Sequence, residues 1–312
     1  MAKNNYQIKE RKKMKINTHI KLIMLGSFFF LDMMGSMPSL QASFPAQLGV
    51  HEQQIFRRAV PRLMQFIRNG QNINAKDGNG QTLLHRAIKN HSMHSGTICA
   101  LIAVGADVNE RDNNGQTPLY LATILGKIDI VHALIAARAN VNRGNNNGET
   151  PLHWAAVFKE IGIIGALVAA GANVDRGNNK GETPLYWATI FGQIGIIGAL
   201  VAAGANVDAK DSKGYTPLRR AVSIKDINAI NVLIAVGANV NVKDNDGNTL
   251  LHDAVSIREN QIVDILIKAG IRVNERNNAG KTPLGLAYEL ADRFGADYSE
   301  ILEFLLRAGG AL

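Results

Sequence analysis

The 312 residues include one cysteine, Cys99, so no internal disulfide can form and the fold must rely on packing. Hydrophobic residues make up 46% and charged residues 19%, which excludes a disordered chain and allows a sizeable core. Of the formal charge of +8, residues 1–42 carry +5 (seven basic, two acidic) and the rest only +3, whereas a nucleic-acid-binding domain holds its charge in the folded part.

The chain opens with Lys3, Lys9, Arg11, Lys12, Lys13, Lys15 and Lys21 against Glu10 alone. Leu22–Leu31 is apolar apart from Gly26 and Ser27, and Ser39-Leu40-Gln41-Ala42 follows. Basic, apolar and then small residues is the layout of a secretory signal peptide, with cleavage expected near Ala42. The apolar run is too short to span a membrane, even if extended to Met34. An uncleaved tether at residues 22–34 is the alternative, and a start at Met14 gives the leader a more ordinary length. Residues 43–75 look like a shortened structural unit, with Ile55–Val60 imitating a first helix and Leu63–Gly70 a second. We expect this unit to cap the apolar face of the full-length unit next to it.

From Gly80 a motif recurs, clearest as Gly148-Glu149-Thr150-Pro151-Leu152-His153-Trp154-Ala155 and Gly181-Glu182-Thr183-Pro184-Leu185-Tyr186-Trp187-Ala188. Its threonines fall at 82, 117, 150, 183, 216, 249 and 282, a step of 33 after a single step of 35. A fixed period of this size marks a repeat array. The threonine is placed to cap a helix and Pro151 to occupy its first position, where a missing N–H costs nothing. A second apolar run, Ile163–Ala170, ends at Gly171, a left-handed helix cap. One unit is thus turn, helix, helix, turn, and it can bury its apolar face only by stacking.

These residues resemble the ankyrin repeat, with its 33-residue period and T-P-L-H-x-A signature. The resemblance covers roughly residues 76–312, with units starting near 77, 112, 145, 178, 211, 244 and 277. It implies an all-α repeat solenoid of stacked helix-turn-helix units, with β-hairpin-like fingers and a protein-binding concave face. It also implies that His85, His153 and His252 tie neighbouring turns together. Leu83 and Leu250 replace the proline, and Arg138 stands where other units have Gly171, Gly204 and Gly237. A left-handed Arg138 would cost about 1 kcal/mol relative to glycine.

No catalytic constellation or phosphate loop is present, and the spacing of His91, His94 and Cys99 fits no standard zinc site. Catalytic, cofactor and metal residues are therefore expected to be none. One column of the repeat reads Arg86, Leu121, Trp154, Trp187, Arg220, Asp253, Leu286, and a site accepting Arg and Asp is not a dry core position. The two tryptophans are accordingly expected to expose much of their surface, the alternative being packing against each other and the finger bases. Phe158 and Phe191 belong to a mostly apolar column and are expected to be semi-buried. Each finger tip carries a cation: Lys76, Arg111, Arg143, Arg176, Lys210, Lys243 or Arg276. Arg143 and Arg176 alone precede a Gly-Asn pair that offers no acid, and they belong to the tryptophan-bearing units. Trp154, Trp187, Arg143, Arg176, Phe158, Phe191 and Tyr215 are therefore the candidate partner-binding residues.

The sequence describes a monomeric, non-enzymatic interaction protein, exported if its leader is cleaved, whose protein partner has an acidic and partly apolar surface. A self-associating scaffold is the rival class. Nucleic acid is not expected as a partner, nor a membrane span in the mature chain.

Overall fold

A computed structural model of the chain describes residues 50–90, 93–295 and 297–312. The leader (1–42) and the residues His91 and Ser92 of the first repeat's insertion lie outside the described residues. Fifteen helices and no strand are present among the described residues, which makes the fold a helical repeat solenoid. Contacts divide the chain into a unit ending at Asn146 and a unit of Asn147–Leu312.

The first unit holds α1 (Val50–Arg68), α2 (Leu83–Lys89), α3 (Ser95–Ala103), α4 (Pro118–Ile124) and α5 (Ile128–Ala136). The two short helices expected in the shortened unit are one continuous helix, α1, with Pro61 inside it. Val60-Pro61-Arg62 contains no glycine or polar turn that could reverse the chain, and proline removes only one donor from the ladder. Helix α1 packs on α3 around buried Phe56, and Ser95 Oγ donates to Glu52. Gly96 makes this approach possible, since a Cβ there would lie 2.5 Å from the Glu52 carbonyl oxygen.

The second unit continues the pattern as α6 (Pro151–Val157), α7 (Ile161–Ala169), α8 (Pro184–Ile190), α9 (Ile194–Ala202), α10 (Pro217–Ser223) and α11 (Ile227–Ala235). It ends with α12 (Leu250–Ser256), α13 (Asn260–Lys268), α14 (Pro283–Phe294) and α15 (Ser299–Arg307). Leucines 152, 185, 218, 251 and 284 anchor the first helix of each pair, and the signature alanines 155, 188, 221 and 254 are fully buried between helices.

The fingers are hairpin-like bends without strands. In the fourth repeat the Asn178 N–H donates to the Glu182 carbonyl (2.9 Å), while Asn178 Oδ1 accepts from Lys180 and Glu182 N–H groups. One backbone bond joins consecutive fingers, such as Asn179 N–H to Asn147 O at 2.9 Å, too sparse a ladder for a sheet. Gly148 is required here: its φ is +79°, and a Cβ would lie 2.9 Å from the Asn179 backbone nitrogen.

Arg138 does adopt the left-handed conformation, with φ 63°. Lys159, Lys225 and Arg258 do the same at the turn between paired helices, where Gly126 and Gly192 stand in other units. None of these three was singled out by the sequence. Arg138→Gly is expected to stabilise the protein by up to about 1 kcal/mol, measurable as a higher denaturation midpoint; an unchanged or lower midpoint would show that the backbone strain is already offset.

Candidate functional site

The third residue of each first helix determines how successive repeats are joined. In the second unit it is His153, Tyr186, Arg219, His252 or Gly285. His153 Nδ1 accepts from the Thr150 N–H (3.1 Å) and Nε2 lies 2.9 Å from the Glu182 carbonyl of the next finger. Since Nδ1 is an acceptor, Nε2 carries the hydrogen and donates. His252 does the same toward Lys281 O at 2.8 Å, and His85, in the first unit, toward Gln116 O at 3.1 Å. The histidines therefore link adjacent turns as expected. Burial lowers the pKa of all three, that of His153 to about 4.

Tyr186 reaches the Asp211 carboxylate with its hydroxyl, and its phenol pKa is raised by burial. Arg219, only 2% exposed, donates to Asp244, Asp253 and the Asn248 carbonyl. Burial raises the Asp253 carboxyl to about 6, with Arg219 opposing and Asp244 adding to the rise. This buried cluster escaped the sequence reading, although an arginine in a His/Tyr column was the available signal.

The same cluster corrects the tryptophan expectation. Trp187 is only 9% exposed and Trp154 is half-buried. An Asp in their column did not mean access to water, because Asp253 is paired with Arg219 of the preceding repeat. The two indoles meet edge-to-face at 5.3 Å, and Trp187 also lies edge-on to His153 at 5.3 Å. Their Nε1 groups donate to Glu149 (3.2 Å) and Glu182 (3.0 Å). The alternative, mutual packing over the finger bases, is what the structure holds.

The phenylalanines are exposed instead, Phe158 by 45% and Phe191 by 50%. Each is the C-cap of a seven-residue helix, followed by a left-handed residue that turns the chain away, so its ring projects beyond the packed turn. Phe158 stacks on Trp154 at 5.7 Å and Phe191 leans on Trp187 at 6.3 Å. The result is one aromatic run, Phe158–Trp154–Trp187–Phe191, held beneath and open at its ends. Ile224, 36% exposed, occupies the phenylalanine column one repeat further on.

The finger cations also divide. Lys210 donates to Lys243 O, Lys243 to Arg276 O, and Arg276 to Gly280 O and Leu312 O. In the first unit Lys76 bonds Arg111 O and Glu110, and Arg111 bonds Gly115 O and Asn146. Among the described residues the side chains of Arg176 and, in the first unit, Arg143 make no hydrogen bond or ion pair, and both are exposed. Tyr215 is half-buried beneath the Arg219 guanidinium, 5.5 Å from its ring centroid. The structure thus joins Trp154, Trp187, Phe158 and Phe191 in one cluster, leaves Arg176 available, and ties Tyr215 into the ion cluster. No group of three or more His, Cys, Asp or Glu side chains among the described residues is arranged to hold a metal. No described helix is long and apolar enough to cross a membrane.

Stacked helix pairs with repeating fingers and a shared hydrogen-bonding column define a helical repeat protein of the interaction type. A family profile described as Ankyrin repeats (3 copies) matches residues 56–145, 92–178, 137–211, 162–244 and 218–311, and the chain belongs to the ankyrin repeat family. Among solved structures it is similar to the crystal structure of the ankyrin repeat domain of Bcl-3, described as a unique member of the IkappaB protein family. That match has 26% identity and a TM-score of 0.66, and covers 73% of this chain and 99% of that one. Comparison with curated proteins found no match. The family and this neighbour identify a protein–protein interaction module, on a fold that is typically a non-enzymatic scaffold.

Proposed function

We propose that the protein is an exported, monomeric interaction module that docks a folded partner on the finger and first-helix side of the third and fourth repeats. The observation that carries this is the exposure of Phe158 and Phe191 on a rigid aromatic base, in the same unit as the unengaged Arg176. Lys210 and Lys243 bind the neighbouring finger, whereas Arg176 is left to a partner's acid. Aromatic and arginine side chains dominate interface energetics, and a preorganised cluster loses little entropy on binding. The partner surface is therefore acidic and partly apolar. Export is supported by the basic, apolar and small-residue layout of residues 1–42, and mass spectrometry of the mature protein checks it by its N-terminus.

The test is a paired capture with the full chain and a Phe158→Ser/Phe191→Ser/Arg176→Glu variant whose helicity is verified by circular dichroism. These three side chains are exposed, so the variant is expected to fold. A partner retained by wild type should be lost, with affinity reduced by at least about 100-fold. Equal retention would exclude this face. A concentration-dependent mass of the protein alone in light scattering would favour the self-associating scaffold.

A further inference from the structure

Within the proposed docking face, on which this inference rests, a second cation besides Arg176 lacks an acid. Arg220 occupies the column of Trp154 and Trp187, one repeat further on. Its Nε is enclosed and meets no hydrogen-bond partner, and its Nη1 reaches only the Ser223 hydroxyl of its own helix, at 3.5 Å. The carboxylates around it are engaged elsewhere. Asp244 and Asp253 of the following repeat are both taken by Arg219. On the preceding side Glu182 is held by Trp187 Nε1 and Asn178 Nδ2. Asp211 accepts from the Lys213 and Tyr215 N–H groups and from the Tyr186 hydroxyl. Two adjacent arginines thus differ sharply: Arg219 is saturated and buried, while Arg220 is half-exposed with most of its five donors unused.

We infer that Arg220 anchors a carboxylate of the partner, so that the recognised segment carries an Asp or Glu beside an apolar side chain that packs on Trp187 and Phe191. The planar guanidinium fork matches a carboxylate bidentately, and the enclosed Nε is a donor that only a ligand reaching into the site can satisfy. A carboxylate suits the site better than a phosphoryl group. The latter carries nearly two charges and needs a cation cluster, whereas Glu182 and Asp211 stand nearby.

The probe is a display library of random 16-residue peptides, selected on the full chain. The strongest binder is then synthesised with its acids intact, with each acid changed to the amide, and with phosphoserine in place of the acid. Enriched peptides should place Asp or Glu within a few residues of Trp, Phe, Leu, Ile or Met. The acidic form should bind at least 10-fold more tightly than the amide form and lose at least 10-fold on Arg220→Gln, with Arg220→Lys intermediate. Enrichment of peptides without acids, binding within 2-fold on a folded Arg220→Gln variant, tighter binding of the phosphoserine form, or no enrichment at all would each overturn the inference. Binding lost on Phe158→Ser/Phe191→Ser/Arg176→Glu but kept on Arg220→Gln leaves the docking face standing and removes only Arg220. Binding kept on both removes the face as well.

Discussion

Arg219→Met is expected to lower stability by about 3–5 kcal/mol, a larger effect than that of any other substitution proposed for the second unit. The guanidinium lies between the fifth and sixth repeats with Asp244 and Asp253 on one nitrogen and the Asn248 carbonyl on the other. Removing it leaves two carboxylates facing each other, Asp244 only 4% exposed, and a carbonyl without its donor. The loss should appear in chemical denaturation and in faster amide exchange confined to α10 and α12. Combining Arg219→Met with Asp253→Leu, the residue type of Leu121 and Leu286 in the same column, should recover part of it by removing one stranded charge. A loss below about 1 kcal/mol for the single variant would show that water already screens the cluster.

Acidification from pH 7 to about 4 is expected to destabilise the array through its signature histidines. His153 titrates near 4 in the folded protein against 6.5 when unfolded, because it is buried with Nδ1 accepting a backbone N–H. A depressed histidine contributes its full stability above 6.5 and loses it as pH falls toward 4, since the unfolded chain takes the proton first. For His153 the loss amounts to about 3 kcal/mol once pH is below 4. His85 and His252 are shifted in the same direction. Asp253 acts oppositely. Its raised carboxyl favours the folded state as pH falls from about 6 to 3.8. His153→Tyr isolates the histidine effect, because Tyr120 and Tyr186 already occupy that position in other repeats. The variant should lose stability less steeply between pH 6.5 and 4; an identical slope would show that His153 does not govern acid lability.

Much of the fold was legible because period, caps and turns all specified the same unit. Threonines 150, 183 and 216, the prolines after them and the glycines before them stand where the capped helices and fingers require. The candidate site was legible in outline only. The exposed Arg176 followed from the missing acid in Gly177-Asn178, a local feature. Trp187 is buried where exposure was expected, and Phe191 is more open than the semi-buried packing expected of it, because burial in a stacked array depends on what the neighbouring repeat contributes. Asp253 suggested a wet column, yet its charge is paired with Arg219, 34 residues earlier in sequence. Column comparison identifies which positions are equivalent. It does not reveal pairing between adjacent columns, and that pairing decides which cations remain available to a partner.

The central claim is that the partner seats on the Phe158–Phe191 surface. Photocrosslinking tests it most directly, with a photoreactive phenylalanine analogue placed singly at positions 158 and 191, and at 169 and 202 on the exposed side of α7 and α9. A covalent adduct of one partner from 158 and 191, and none from 169 and 202, is the predicted result. Adducts from 169 and 202 alone would place the interface on the second helices and contradict the account.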